Sequence, residues 1–341
     1  MISIETVYLP AAEGLAAEQL NAIWNRHRLE TLPDDPPIPL DESLQGWRNV
    51  PEFITVYELL LWNEAHTSVD AVGEIEYYTT EKNRHLAFLD IYVLPQNRRR
   101  GLGRLLLGRV TSIAVEHERP VMLCRTSERI PAGETFVTRM GASRGMDMRT
   151  SQLHLSELDR EWVQRWRNGP AGGFTLGLWI GPYPEDQLEA IAILNQLGND
   201  APRGDLAIDD QHLTPAQLRS IEQYQQARGI QRWTIYVTEE ATGRYAGFTE
   251  VMWNPNRPQI LEQGFTGVDP AFRNQGLGHW LKAAMIEKVL AERPEVVFVR
   301  TGNANQNAPM LKINTEMGFK PYQAQTLWQI ETQKVVDYLS A

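Results

Sequence analysis

The sequence predicts an α+β protein built from two tandem copies of one domain, and three observations carry that reading. The segment LDIYVLPQNRRRGLGRLLLGRV at 89–110 returns as GFTGVDPAFRNQGLGHWLKAAMI at 264–286, with Val93/Val268, Pro95/Pro270, Arg98/Arg273, Gly101/Gly276 and Gly103/Gly278 each 175 residues apart. Flanking segments repeat as well: Arg125 matches Arg300 at the same spacing, and AVGEIEYY at 71–78 resembles YAGFTEVMW at 245–253. So long a period is not that of a solenoid but of a whole domain written twice. Within each copy the hydrophobic pattern switches between periods of two and 3.6, as strands mixed with helices require.

The elements follow in order. ISIETVYL reads as a strand, AEGLAAEQLNAIWNRHRL as an amphipathic helix, and DDPPIPLD as a loop, because its prolines remove backbone donors. Strands are expected near 54–62, 71–79 and 85–94, then a helix opening after Gly101 and a strand at 120–125. In the second copy FTLGLWIG is a strand and PEDQLEAIAILNQL a helix, and LTPAQLRSIEQYQQARG is another helix with Thr214 as cap and Pro215 just inside. Strands at 232–238, 245–253 and 260–268 lead into a helix at about 276–291. The segment 148–155 is expected to close the first copy, which gives a first domain at 1–155, a linker at 156–172 ending in RNGPAGG, and a second domain at 173–341.

Composition narrows the function. Of the 341 residues 42% are hydrophobic and 22% charged, as in a globular protein, and the net charge of −10 divides evenly between the halves. No basic face is offered to phosphates, so nucleic acid and anionic membrane are excluded as expected partners and a small molecule is favoured. Cys124 is the only cysteine, so there is no intrachain disulfide and no Cys-rich metal site. The seven histidines lack ligand spacing, and no metal is expected. The start MISIETVYLP lacks the basic-then-apolar pattern of a secretion signal, and with the lone thiol this points to the cytoplasm.

The chemical signature is a strand, Val-x-Pro, then Arg-x-x-Gly-x-Gly opening a helix, present in both copies. Glycines allow close approach of the backbone, and free N–H groups at a helix start attract an anion such as a phosphate. Leu106 and Leu281 stand where a dinucleotide fingerprint needs its third glycine, and no Gly-Lys-Ser/Thr occurs.

On these residues both halves resemble the GCN5-related N-acetyltransferase (GNAT) family, and the chain is similar to its tandem, mycothiol synthase-like members. The second copy is the closer match, through Asn303-Ala304-Asn305-x-Asn307-x-x-Met310 and Asn314-x-x-x-Gly318-Phe319. A group of tandem bacterial acetyltransferases shares the NDAPRGDL loop at 199–206 and a tryptophan like Trp328. The resemblance implies two domains, each a mixed, mostly antiparallel sheet flanked by helices, and acetyl-CoA as cofactor. It implies that Thr266, Gly267, Val268, Arg273, Asn274, Gln275, Gly276, Leu277, Gly278, Asn303, Asn307 and Met310 hold that cofactor, with Val93, Arg98, Gly101 and Gly103 as their counterparts in the first copy.

Transfer of an acetyl group to an amine needs a base for the ammonium proton and donors for the developing oxyanion. Glu262, six residues before Val268, aligns with the family's catalytic acid, whereas the same count before Val93 gives Ala87. Glu250 on the neighbouring strand is a second candidate, and Asp200 in the NDAPRGDL loop is a candidate for the acceptor site. Many relatives carry a Tyr at the position of Asn314, and Tyr322 is one replacement for that acid. The expectation is therefore an N-acetyltransferase for a small-molecule primary amine, active in the second copy, with the first copy degenerate. The alternatives are a non-catalytic acyl-CoA-binding protein and an enzyme with two active sites; the oligomeric state stays open.

Overall fold

A computed structural model describes residues 3–341 and divides the chain into two compact units. Among the described residues the first comprises 3–147, 203–209 and 325–341, and the second 148–202 and 210–324.

The first unit holds β1 (Ser3–Tyr8), β2 (Ile54–Trp62), β3 (Val69–Tyr78), β4 (Leu86–Val93) and β5 (Val121–Ser127). Its helices are α1 (Gly14–Thr31), α2 (Leu40–Arg48), α3 (Leu102–Glu116) and α4 (Pro131–Arg139), with α10 (Thr332–Ser340) from the far end of the chain. β1 to β4 form an antiparallel meander, and β5 returns parallel to β4 through α3. One sheet face packs Leu102, Leu106 and Val110 of α3 on Leu59, Ile75 and Ala87; the other packs Leu20 and Ile23 of α1 on Leu60 and Val72. Alternate strand residues thus serve opposite faces, both covered by helices.

The second unit repeats this plan with β7 (Phe174–Ile180), β8 (Gln231–Glu239), β9 (Tyr245–Trp253), β10 (Ile260–Val268) and β11 (Phe298–Ala304). Its helices are α6 (Leu188–Asn195), α7 (Pro215–Ala227), α8 (Leu277–Glu292) and α9 (Ala308–Met317). Thr214 caps α7 through a reciprocal capping box with Gln217, as its position before Pro215 predicts.

Two sequence expectations are corrected. The strand β6 (Ser143–His154) does not close the first sheet: residues 148–154 pair antiparallel with β11, from Met148↔Ala304 to His154↔Phe298. The place beside β5 is taken by β12 (Lys320–Glu331), paired from Ser127↔Gln325 to Val121↔Glu331, with Trp328 and Ile330 in the first unit's core. Each sheet is completed by a strand from the other half of the sequence, so boundaries at 155 and 173 cut through both. The expected linker at 156–172 also contains a helix, α5 (Arg160–Trp166), whose Asp159 cap accepts a hydrogen bond from the Trp162 N–H at 2.8 Å. Leu158, Trp162 and Val163 belong to the second unit's core, so this segment is anchored by apolar burial.

Candidate active site

In the second unit β10 pairs parallel with β11 only at Ile260↔Phe298, Leu261↔Val299 and Glu262↔Arg300, and beyond these pairs the strands part. On its other edge β10 shifts register against β9 between Gln263 and Thr266, a β-bulge that re-aims the residues on it. Gln263 pins the bulge by donating to the Glu250 carbonyl at 2.7 Å, and the Thr249 and Thr266 hydroxyls meet at 2.7 Å. A Cβ on Gly264 would lie 2.8 Å from Cγ of Glu250, so the glycine lets the Glu250 side chain lie across the bulge.

Glu250 accepts a hydrogen bond from the Phe265 N–H, and burial raises its pKa against the opposing field of Arg232. Arg232 is itself bound to Glu222 at 2.5 Å and to the Gly181 carbonyl at 3.0 Å, with its guanidinium 3.7 Å from the Tyr183 ring. Burial, with the Glu250 charge adding to it, pushes the Tyr183 hydroxyl up to about 12. Glu262 pairs with Met252 and so shares a sheet face with Glu250, but it is exposed, at the last residue before β10 and β11 separate.

At the end of β10, Gly247 permits close approach: a Cβ there would stand 2.5 Å from the Gly267 carbonyl oxygen. Asn274 and Gly276 take left-handed φ of 64° and 81°, and no side chain caps α8, whose first helical bond runs from the Trp280 N–H to the Gly276 carbonyl. The N–H groups of Leu277 to His279 therefore have no intrahelical partner and face outward with the helix dipole behind them. Gln275 and Leu277 lie within this turn, and Gly278 packs beside Ile313 and Val268. This terminus fits the pyrophosphate of an acyl-CoA.

Arg273 is engaged otherwise: its Nε donates to the Val268 carbonyl at 3.0 Å and its head group binds Asp200 at 2.5 Å. It ties the β10 end to the NDAPRGDL loop, and Asp200 is half of that clamp. Asn307 caps α9 through a bond from the Met310 N–H, Asn303 accepts from Asn314, and Asn314 accepts from Lys282, a side chain that the sequence reading missed. Asn314 is buried, and the Tyr322 ring lies 4.5 Å from the Arg300 guanidinium. A second residue missed is Trp166 of the expected linker, which stacks on His279 at 4.2 Å and packs over Gly276.

The first unit preserves the frame. β4 and β5 pair from Leu86↔Val121 to Leu89↔Cys124 and then part, Gly101 has φ 83° at the uncapped start of α3, and Gly103 packs near Phe136 and Val93. Arg98 repeats the clamp, donating to the Val93 carbonyl at 3.0 Å and to Glu30 at 2.7 Å. One register inference is corrected: Val93 pairs with Ala71 and Val268 with Gly247, so Glu74 is the counterpart of Glu250, and Phe88, opposite Glu76, is that of Glu262 opposite Met252. Counting residues gave Ala87 because β10 carries a bulge that β4 lacks. Neither Ala87 nor Phe88 has a carboxylate. The unit does hold a row of carboxylates across three strands, Glu58↔Glu74↔Asp90, which the sequence reading passed over. Burial, then the neighbouring Asp90 charge, raises Glu74 to about 7; burial and Glu74 hold Glu58 well above the carboxylate range.

Comparison with known proteins agrees with this geometry. The profile of the acetyltransferase (GNAT) family matches residues 19–141 and 205–319, well over half of the chain. The chain is similar to the solved tandem GNAT protein from the clavulanic acid biosynthesis pathway, with 25% identity, TM-score 0.77, and 97% of this chain and 99% of that one covered. It shares its fold with a GCN5-related N-acetyltransferase from Sphaerobacter thermophilus, at 14% identity and TM-score 0.66 with 96% of each chain covered. It shares it also with a putative acetyltransferase from Pyrococcus horikoshii, at 12% identity and TM-score 0.54, with 96% of this chain and 89% of that one covered. No curated protein matches the chain. Two parted parallel strand pairs, two glycine turns at uncapped helix starts and a family profile matched twice lead to one conclusion: the chain belongs to the acetyltransferase (GNAT) family, as an acyltransferase of two tandem domains.

Proposed function

We propose that this acyltransferase moves the acetyl group of acetyl-CoA to the primary amine of a small molecule in the cytoplasm, and that the second unit does the chemistry. One observation carries the assignment. There a bulge beside the parting strands lays a half-buried carboxylate, Glu250, on the same sheet face as an exposed one, Glu262, whereas the unbulged β4 has Phe88 at the place of Glu262.

Bound acetyl-CoA supplies a thioester-activated acetyl group. The N–H groups at the start of α8 hold its phosphates, and Asn303, Asn307 and Met310 flank its arm. Glu262 draws the cationic amine to the opening. Glu250 takes the ammonium proton: burial raises its pKa and so makes the carboxylate a stronger base than an exposed one. As the amine nitrogen bonds to the acyl carbon, the backbone N–H of Val268 would stabilise the charge on the acyl oxygen without reorganisation; collapse then breaks the C–S bond, and CoA leaves as a thiolate that takes its proton from solvent. Among the described residues no helix is long and apolar enough to cross a membrane.

The test is kinetic, on a panel of primary amines with acetyl-CoA. Glu250→Gln is expected to lower kcat by roughly 10²–10⁴-fold, the range for a lost general base, while Glu262→Gln acts mainly through a higher KM. Loss of kcat in Glu262→Gln with Glu250→Gln unaffected would transfer the base to Glu262. Tight acetyl-CoA binding without turnover of any amine would favour a binding protein.

A further inference from the structure

Lys282 on α8 is 2% exposed; among the described residues it has no carboxylate partner, and its Nζ lies 5.8 Å from the centre of the Phe319 ring. Its ammonium makes one hydrogen bond, to Oδ1 of Asn314 at 2.9 Å, and burial alone lowers its pKa to about 7. The first unit shows that folding does not ask for a cation here: Leu107, 175 residues earlier, is a fully buried core residue on the matching helix α3. A desolvated lysine with no counter-charge opposes folding, and one aromatic face offsets little of that cost, so its presence calls for another role.

That role follows from donor and acceptor chemistry. A protonated lysine only donates, so Asn314 must turn Oδ1 toward it. Nδ2 of Asn314 then points to Asn303 and donates to its Oδ1 at 2.9 Å. With Oδ1 fixed, Asn303 is left with Nδ2 as a donor that bonds no other described group. Asn303 is half-buried on β11, three residues past Arg300, where β11 has left β10.

The geometry points to Lys282 as a positioning residue that acts through Asn314 to lock the Asn303 amide with its donor toward the opening between β10 and β11, for a carbonyl of the acyl-CoA arm. This rests on the acyl-CoA reading above. A neutral lysine carries a lone pair and can accept from Asn314 Nδ2, so the lock relaxes as pH rises through about 7. The charged groups on the surrounding elements are engaged elsewhere. His279 of α8 and Glu316 of α9 pair at 3.3 Å with Lys312 at 4.0 Å from Glu316, and Arg300 of β11 donates to Gln152.

Calorimetric titration with acetyl-CoA at pH 6, 7 and 8.5 tests the lock in the full chain, with thermal melting alongside. Lys282→Met is expected to melt no lower than wild type, to bind acetyl-CoA roughly tenfold more weakly at pH 6, the worth of about one hydrogen bond, and to lose the weakening that wild type shows across pH 7. Equal affinity of the two proteins at every pH would overturn the inference. Wild type that binds no acetyl-CoA would overturn the acyl-CoA reading with it, a pattern distinct from the first. Should the variant fail to fold, the side-chain amide signals of Asn303 and Asn314 in wild type decide by NMR. They move together near pH 7 if the lock exists, and their standing still refutes it.

Discussion

Glycines with the same backbone conformation face different neighbours in the two units. Gly101 and Gly276 both open a helix with φ above 80°, where any side chain is strained. A Cβ on Gly101 meets nothing within 4 Å, whereas one on Gly276 would lie 2.8 Å from the Trp166 ring. Gly276→Ala is therefore expected to lower Tm more than Gly101→Ala and to abolish acetyl-CoA binding in the second unit, read by calorimetry and thermal melting. Gly264→Ala is the sharper probe of chemistry, since its methyl would push against the Glu250 side chain. Its expected signature is a fall in kcat with acetyl-CoA affinity kept. The recurrent arginines show how a motif residue is also held from within the protein. Arg98 and Arg273 read as phosphate ligands in a linear sequence, yet each is bound to a valine carbonyl and a carboxylate, Glu30 or Asp200.

Among the elements, the central strands decide what the unit can do. β10 and β4 are paired alike, antiparallel to the strand before and parallel to the strand after, and they differ by one bulge, which makes β10 nine residues long and β4 eight. The extra residue in β10 leaves the Phe265 N–H to meet Glu250, while unbulged β4 sets Asp90 beside Glu74. Burial resists ionisation along the Glu58, Glu74 and Asp90 row, and a neighbouring carboxylate adds to it at Glu58 and Glu74, while His27 and Arg125 oppose it at Asp90. The helix α5 shows the same dependence on context. Its RNGPAGG tail reads as a connector, and the helix is anchored by Trp162, Val163 and the Asp159 cap. Asp159→Ala is expected to destabilise the second unit by about 1 kcal/mol, measurable by denaturant unfolding.

For the molecule as a whole, stability is expected to depend on pH through the first unit's carboxylate row. Glu74 has a folded pKa raised to about 7, above its unfolded value, so the fold favours its protonated form. Its contribution is fully present at acid pH below the unfolded value and declines as pH rises through about 7. Glu74→Gln is expected to flatten Tm between pH 5 and pH 8, and an unchanged pH profile would count against the buried row. Strand exchange carries a second whole-molecule prediction. The fragment 1–155 lacks β12, and with it Trp328 and Ile330 of its unit's core; the fragment 173–341 lacks β6 and α5. Neither is expected to give a cooperative melting transition alone, because each leaves a sheet edge and an apolar face uncovered.

The sequence by itself determined the two-fold repeat, the α+β class, the strands from 54 to 94 and from 232 to 268, and the glycine turns. These are local or periodic properties, and residue type states them directly. It also offered Glu250 and Glu262 as candidates, Glu262 through the family resemblance, since a carboxylate on a strand leading to the turn is visible in one dimension. Tertiary structure alone decided which strand completes which sheet, because β6 and β12 carry equally good strand patterns and their partners lie in the other half of the chain. It decided the register of the bulged strand, where counting along the chain is off by one. It brought Lys282 to Asn314 and Trp166 to Gly276, contacts between residues 32 and 110 positions apart that no periodicity records. Burial set the protonation of Glu74 and Lys282, because desolvation belongs to the packed surroundings and not to the residue type.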